Sequence, residues 1–167
     1  MTKTIRWMTC LALCLPLWTN AAGVKEGQAA PAVSLPSLQE DGVVYSLADM
    51  RGKVVYVDFW ASWCGPCRVS FPILDEIRRD LGPQGFEVFA INVDEDPDDA
   101  LEFLRELPVS YPILRDAEGS TPERFGIIGM PTGFLIDQDG KVFKVHQGFR
   151  KSDGAKLRAE VQQLLGS

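Results

Sequence analysis

Val54-Val55-Tyr56-Val57-Asp58-Phe59-Trp60-Ala61-Ser62-Trp63-Cys64-Gly65-Pro66-Cys67 is the stretch on which the reading of this chain turns. Its first seven residues form a nearly continuous apolar run, the pattern of a central parallel strand buried on both faces. Two cysteines follow, three apart, and from Cys67 to Leu81 the apolar residues Val69, Ile73, Leu74 and Ile77 recur at helical spacing. Pro72 falls inside that helix and is expected to kink it. The expected local structure is strand, tight turn, helix, with a Cys-x-x-Cys at the helix start. The positive end of the helix stabilises a thiolate there, so the first cysteine's pKa falls and it can attack a disulfide. The second, one turn on, can displace the first from a mixed disulfide. The pattern points to thiol–disulfide exchange, with Cys64 an exposed nucleophile and Cys67 a buried resolving thiol.

Outward from this stretch, the remaining segments alternate. Val33 to Leu35 and Val43 to Tyr45 flank a turn at Gln39-Glu40-Asp41-Gly42 and read as a short hairpin. Leu47 to Met50 reads as one helical turn. Phe86 to Val93 is a second core strand. Asp96 or Asp98 is placed to cap a helix running to Leu107, and the acidic run Asp94 to Asp99 otherwise solvates a loop. Tyr111 to Leu114 is a short extended piece. Thr121 to Phe125 is a short helix with Pro122 in its first turn. Gly133 to Asp137 and Val142 to Gln147 pair through Gln138-Asp139-Gly140, and an amphipathic helix from Lys151 to Leu165 closes the chain. The order is α/β, with a parallel core and an antiparallel pair added at the end.

Composition narrows the class. The chain has 167 residues and a formal net charge of −6, which argues against nucleic acid and anionic membrane surfaces as partners. Residues 1–22 read as a secretory signal peptide, or as an N-terminal anchor if uncut, with residues 23–167 as one domain. Lys3 and Arg6 form the basic start, and Trp7 to Trp18 the apolar middle. Cys10 and Cys14 fall in that leader, which leaves Cys64 and Cys67 as the only cysteines of the domain. An exported domain with one vicinal pair is not a disulfide-stapled scaffold, so the pair is expected to react. Zinc needs about four ligands, and the single histidine, His146, is the one further soft ligand. No metal or cofactor is expected. His146 reads as a surface or satisfied histidine.

Two segments carry a resemblance. Val57 to Cys67 resembles the active-site run of thioredoxin, and Phe125-Gly126-Ile127-Ile128-Gly129-Met130-Pro131-Thr132 resembles the segment bearing that family's cis-proline. The longer spacing between them, the N-terminal hairpin and the leader resemble the exported TlpA/ResA-like branch. The resemblance implies a thioredoxin-like fold over residues 27–165, with a central mixed sheet flanked by helices and a helix-containing insertion. It implies an extracytoplasmic, periplasmic-type protein-disulfide reductase that acts on exported proteins, apocytochrome c among them, and is fed electrons by a membrane-embedded thiol reductase.

The resemblance also assigns residues. Pro131 is expected cis, leaving the backbone of Met130 to pair with substrate. Gly65 and Pro66 set the redox poise, and Gly-Pro matches the reducing members. Trp63 is expected to shape an apolar docking face, and Trp60 to pack in the core. Asp58, alone among apolar neighbours, is expected to have a raised pKa and to take the proton of Cys67 during resolution. The sequence departs from the family twice. Ala90 stands where thioredoxin pairs this acid with a lysine, and Ser70 stands where many TlpA/ResA-like proteins have a glutamate. Two other readings compete. One is a peroxiredoxin-like peroxidase, which lacks the threonine expected four residues before the cysteine, where Trp60 stands. The other is a redox-gated binding module or chaperone for exported proteins.

Overall fold

The computed structural model describes residues 23–166; the expected leader lies outside them. Eleven strands and helices follow in chain order: β1 (Ser34–Pro36), β2 (Val44–Ser46), β3 (Val54–Trp60), α1 (Cys67–Leu81), β4 (Phe86–Asn92), α2 (Pro97–Glu106), β5 (Ile113–Arg115), α3 (Ser120–Phe125), β6 (Thr132–Ile136), β7 (Val142–Gln147) and α4 (Asp153–Leu165). Single 3-10 turns cover Leu47–Met50 and Gly82–Gln84. The hairpin strands start one residue later than their apolar pattern suggests. None of these helices is long and apolar enough to cross a membrane.

The main sheet runs β5-β4-β3-β6-β7, and β1-β2 form a separate two-stranded sheet. β3, β4 and β5 are parallel, whereas β6 and β7 add antiparallel neighbours. This is the thioredoxin-like arrangement expected above. β3 is central and buried at all seven positions, which explains its lack of polar alternation. A strand covered by helices on both faces needs apolar residues on both.

The two faces of β3 belong to different cores. Tyr56 and Trp60 pack with Phe71, Leu74 and Ile77 of α1, Phe103 of α2, and Leu157 and Val161 of α4. Val55, Val57 and Phe59 pack with Phe89, Ile91, Phe125 and Phe134. Rings fill the first core beside the cysteines: Trp60 lies 4.7 Å from Phe71 and 4.9 Å from Phe103, centroid to centroid. Such tilted and edge-on contacts suit the ring quadrupoles. α1 continues through Pro72 unbroken. α2 begins where the sequence allowed: Asp96 caps it by accepting from the Asp98 N–H at 2.9 Å, with Pro97 in the first turn.

Candidate active site

The site gathers at the C-terminal end of β3. A turn leads from the strand into α1, and Cys64 and Cys67 form a disulfide with Cα atoms 5.3 Å apart. Cys67 is the first residue of α1. Its N–H donates to the Cys64 carbonyl at 3.1 Å, and the Arg68 N–H to that of Gly65 at 3.1 Å. The Cys64 segment therefore lies against the amino end of a fifteen-residue helix, where the helix dipole favours a thiolate.

The expected exposure of Cys64 is not found. In the disulfide form Cys64 is 4% exposed and Cys67 fully buried. The Cys64 N–H is tied to the Ala61 carbonyl at 3.1 Å, and its sulfur is bonded toward α1. The surface is made instead by Trp63, 70% exposed, and by exposed Gly65 and Pro66. Trp60, three residues earlier, is wholly buried.

The Met130–Pro131 peptide is cis. Thr132 pairs with Phe59, which brings Pro131 to the same end of the sheet as the cysteines. The Pro131 carbonyl accepts from the Gly148 N–H at 2.8 Å, and the Thr132 hydroxyl donates to the Gly129 carbonyl at 2.6 Å, so the loop is held on both sides. The Met130 N–H and C=O have no hydrogen-bond partner among the described residues. They border a shallow cavity of about 240 Å³ between Ile128, Met130 and Gln147. Ile128, 88% exposed, extends the apolar rim.

Asp58 lies deeper on the same face. It is 1% exposed, and its Oδ2 has no hydrogen-bond partner among the described residues. Its strand neighbours are Ala90 on β4 and Gly133 on β6, neither of which brings a charge. Burial alone pushes its carboxyl from the ordinary 3.8 up to about 8. The absent lysine thus has a visible consequence: nothing opposes desolvation. Ser70 is likewise fully buried and neutral; its hydroxyl donates to the Cys67 carbonyl at 3.2 Å. No carboxylate stands beside the thiols from that position.

One element escaped the sequence reading. Asp94 does not solvate a loop. It is 6% exposed and accepts from the Ser62 N–H at 2.9 Å, the Ser62 hydroxyl at 3.0 Å and the Asn92 amide at 2.7 Å. These bonds pin the segment between β3 and Cys64 to the end of β4. An acid at the head of an acidic run gave no signal of this; the signal lay in Asn92 two residues before and in strand pairing.

A reactive cysteine pair on a helix start, a buried acid behind it and a cis-proline loop beside it define a thiol–disulfide oxidoreductase of thioredoxin-like fold. The chain belongs to the Redoxin family, whose model matches residues 25–164. It is 33% identical over 143 residues to the thiol-disulfide oxidoreductase ResA of Geobacillus thermodenitrificans, covering 86% of this chain and 81% of that one. With ResA of Bacillus subtilis it shares 33% over 132 residues, 79% of this chain and 73% of the relative. Among solved structures, a crystal structure assigned as the thiol:disulfide interchange protein DsbE of Chlorobium tepidum superposes with a TM-score of 0.81 at 42% identity, covering 86% of this chain and all of that one.

Proposed function

We propose that this oxidoreductase works outside the cytoplasm as a reductant of disulfides in exported proteins, with apocytochrome c as one candidate client. In this reading residues 1–22 direct export and 23–167 form the working domain. Cys64 attacks a client disulfide and expels one client thiolate. Cys67 then attacks Cys64, releasing the second client thiol and leaving the Cys64–Cys67 disulfide. Asp58 takes the Cys67 proton in that step. Trp63, Gly65 and Pro66 carry the apolar contact, while Met130 offers its unpaired backbone groups beside Pro131. A membrane-embedded thiol reductase restores the dithiol.

The observation that carries the reading is the Cys64–Cys67 disulfide at the start of α1, with Gly-Pro between the sulfurs. Pro66 removes an N–H near them and stiffens the turn. The test is the reduction potential of the purified protein in thiol/disulfide buffers. A value near about −270 mV supports a reductant, and one near about −120 mV makes it an oxidant and overturns the reading. Cys64→Ser separates enzyme from binding module: a reductase loses turnover, whereas a redox-gated binder still holds its client.

A further inference from the structure

The segment that carries Cys64 is fixed at both ends. On one side is α1, which begins at Cys67. On the other, the β3–β4 ladder closes with the Val93 N–H donating to the Trp60 carbonyl at 3.1 Å. Between these ends Trp63, Gly65 and Pro66 are exposed. Ser62, two positions before Cys64, is the last residue on the strand side with an anchor to another element, and that anchor is Asp94. The Ser62 N–H donates to Asp94 Oδ2 at 2.9 Å, and the Ser62 hydroxyl donates to Oδ1 at 3.0 Å. One carboxylate grips both donors of one residue.

Asp94 is held in its turn. The Asn92 amide donates to Asp94 Oδ2 at 2.7 Å, and the Asp94 N–H donates back to the Asn92 side-chain carbonyl at 3.2 Å. Asn92 ends β4 and is 1% exposed, and its main-chain carbonyl accepts from the Asp116 N–H at 3.2 Å, just past β5. The line therefore runs from the end of β5 through β4 to the turn before Cys64. Its carboxylate is 6% exposed, and no cation among the described residues pairs with it. Burying a carboxylate is costly unless it is hydrogen-bonded, and the donors of Ser62 and Asn92 meet that need. Apolar packing in a buried place is often as stable as a charged group, so stability alone gives no reason for an acid here. What the acid adds is a fixed place for Ser62.

That place matters most when the disulfide is open. With the bond closed, Cys64 is joined covalently to Cys67. Once it is reduced, Cys64 depends on the main-chain bonds of the turn and on the clamp upstream. Those main-chain bonds are Cys64 N–H to the Ala61 carbonyl and Cys67 N–H to the Cys64 carbonyl, each 3.1 Å. A tie that narrows the freedom of a dithiol raises the effective concentration of one thiol at the other, which favours the disulfide.

We propose that Asp94 is a positioning residue for the cysteine pair: by clamping Ser62 it keeps Cys64 within bonding reach of Cys67 in the dithiol, and so holds the reduction potential low. The inference rests on the assignment of Cys64 and Cys67 above. In the reaction the client S–S bond breaks and the Cys64–Cys67 bond forms. The dithiol is oxidised, and its two electrons and two protons pass to the client thiols. Asp94 exchanges neither.

The experiment equilibrates the purified protein with reduced and oxidised glutathione and reads the ratio of dithiol to disulfide. Every side-chain partner of the Asp94 carboxylate is a donor, so Asp94→Asn must turn its NH2 toward either Ser62 or Asn92. Ser62→Ala removes the hydroxyl arm of the clamp and keeps the charge. Asp94→Asn is expected to make the disulfide about fivefold less favoured than in the parent, a potential about 20 mV less negative at about 30 mV per tenfold. Ser62→Ala is expected to move it the same way, about twofold. Loss of a nearby negative charge would also raise the potential by easing ionisation of Cys64, so the thiolate absorbance of the reduced protein is titrated alongside. In Ser62→Ala the potential should rise while the Cys64 titration stays with the parent.

An unchanged potential in both variants overturns the proposal, because a merely structural role weakens the dithiol and disulfide forms alike. A rise confined to Asp94→Asn and matched by its thiolate titration also overturns it, since charge alone would cause that. If Asp94→Asn fails to fold, Ser62→Ala decides. The shift is read against the parent, so an oxidising parent would sink the reductant reading and leave the clamp standing.

Discussion

On one face of β3, Val55, Val57 and Phe59 meet Phe89, Ile91, Phe125 and Phe134, and every side-chain atom these residues bury is carbon. On the other, Tyr56, Asp58 and Trp60 each carry a polar atom into an equally closed core. Asp58 Oδ2 and Trp60 Nε1 lack hydrogen-bond partners among the described residues. An unsatisfied buried polar group costs about 1–3 kcal/mol. The contrast sorts stability from chemistry within seven residues: the odd-numbered face holds the fold, and the even-numbered face faces α1 and the sulfurs.

Substitutions on each face sharpen the contrast. Phe59→Ala should have the largest effect on stability, about 3–5 kcal/mol, since a fully buried ring leaves a cavity among other rings. Denaturant unfolding checks it. The loss should be the same at pH 5 and pH 9, and the pH profile of thiol reactivity should keep its shape. A pH-dependent loss would break the division of labour.

Asp58→Asn acts on the other face, and its effect depends on pH. The folded acid titrates at about 8 and the unfolded one near 3.8. Between these values the native state holds a proton the unfolded chain has lost, so stability falls as pH rises through the window and levels off above it. Asn cannot ionise and escapes that fall. Relative to the parent it should gain up to about 4 kcal/mol between pH 5 and pH 8, at 1.36 kcal/mol per unit. Melting curves across pH 4 to 9 test this, and parallel curves for parent and variant would refute it. The same variant should slow the Cys67 step. Trp63→Ala should have the smallest effect on stability, within about 0.5 kcal/mol, because the indole is mostly in solvent. Its mark should be a several-fold higher KM for protein disulfides, with small disulfides little changed.

Much of this was legible in the sequence because it is written in local patterns. The unbroken apolar run marked β3 as central, and Cys64 at the head of a helical repeat marked the site. Asp58 stood out against its apolar neighbours, and the resemblance carried by Phe125 to Thr132 marked Pro131. The facing of Asp58 by Ala90 was legible too, and the β3–β4 register bears it out. What stayed hidden depends on pairing across the sheet. Asp94 looked like its acidic neighbours, yet Ser62 and Asn92 draw it inside. Cys64 is covered because its sulfur is bonded toward the helix, which depends on redox state rather than on residue type. The last helix begins at Asp153 rather than Lys151, since its N-terminal turn is fixed by the Arg150 N–H donating to Asp153 at 2.8 Å.

The placing of the two indoles has an optical consequence. In residues 23–167 tryptophan occurs only at 60 and 63, one sealed among rings and the other in solvent beside the disulfide. A disulfide quenches a nearby excited indole by accepting an electron, and a dithiol does so far less. Emission from the sealed indole should lie to the blue of emission from the exposed one, so a single spectrum would separate the two. The domain thereby carries an intrinsic gauge of its own oxidation state, readable in real time without a dye.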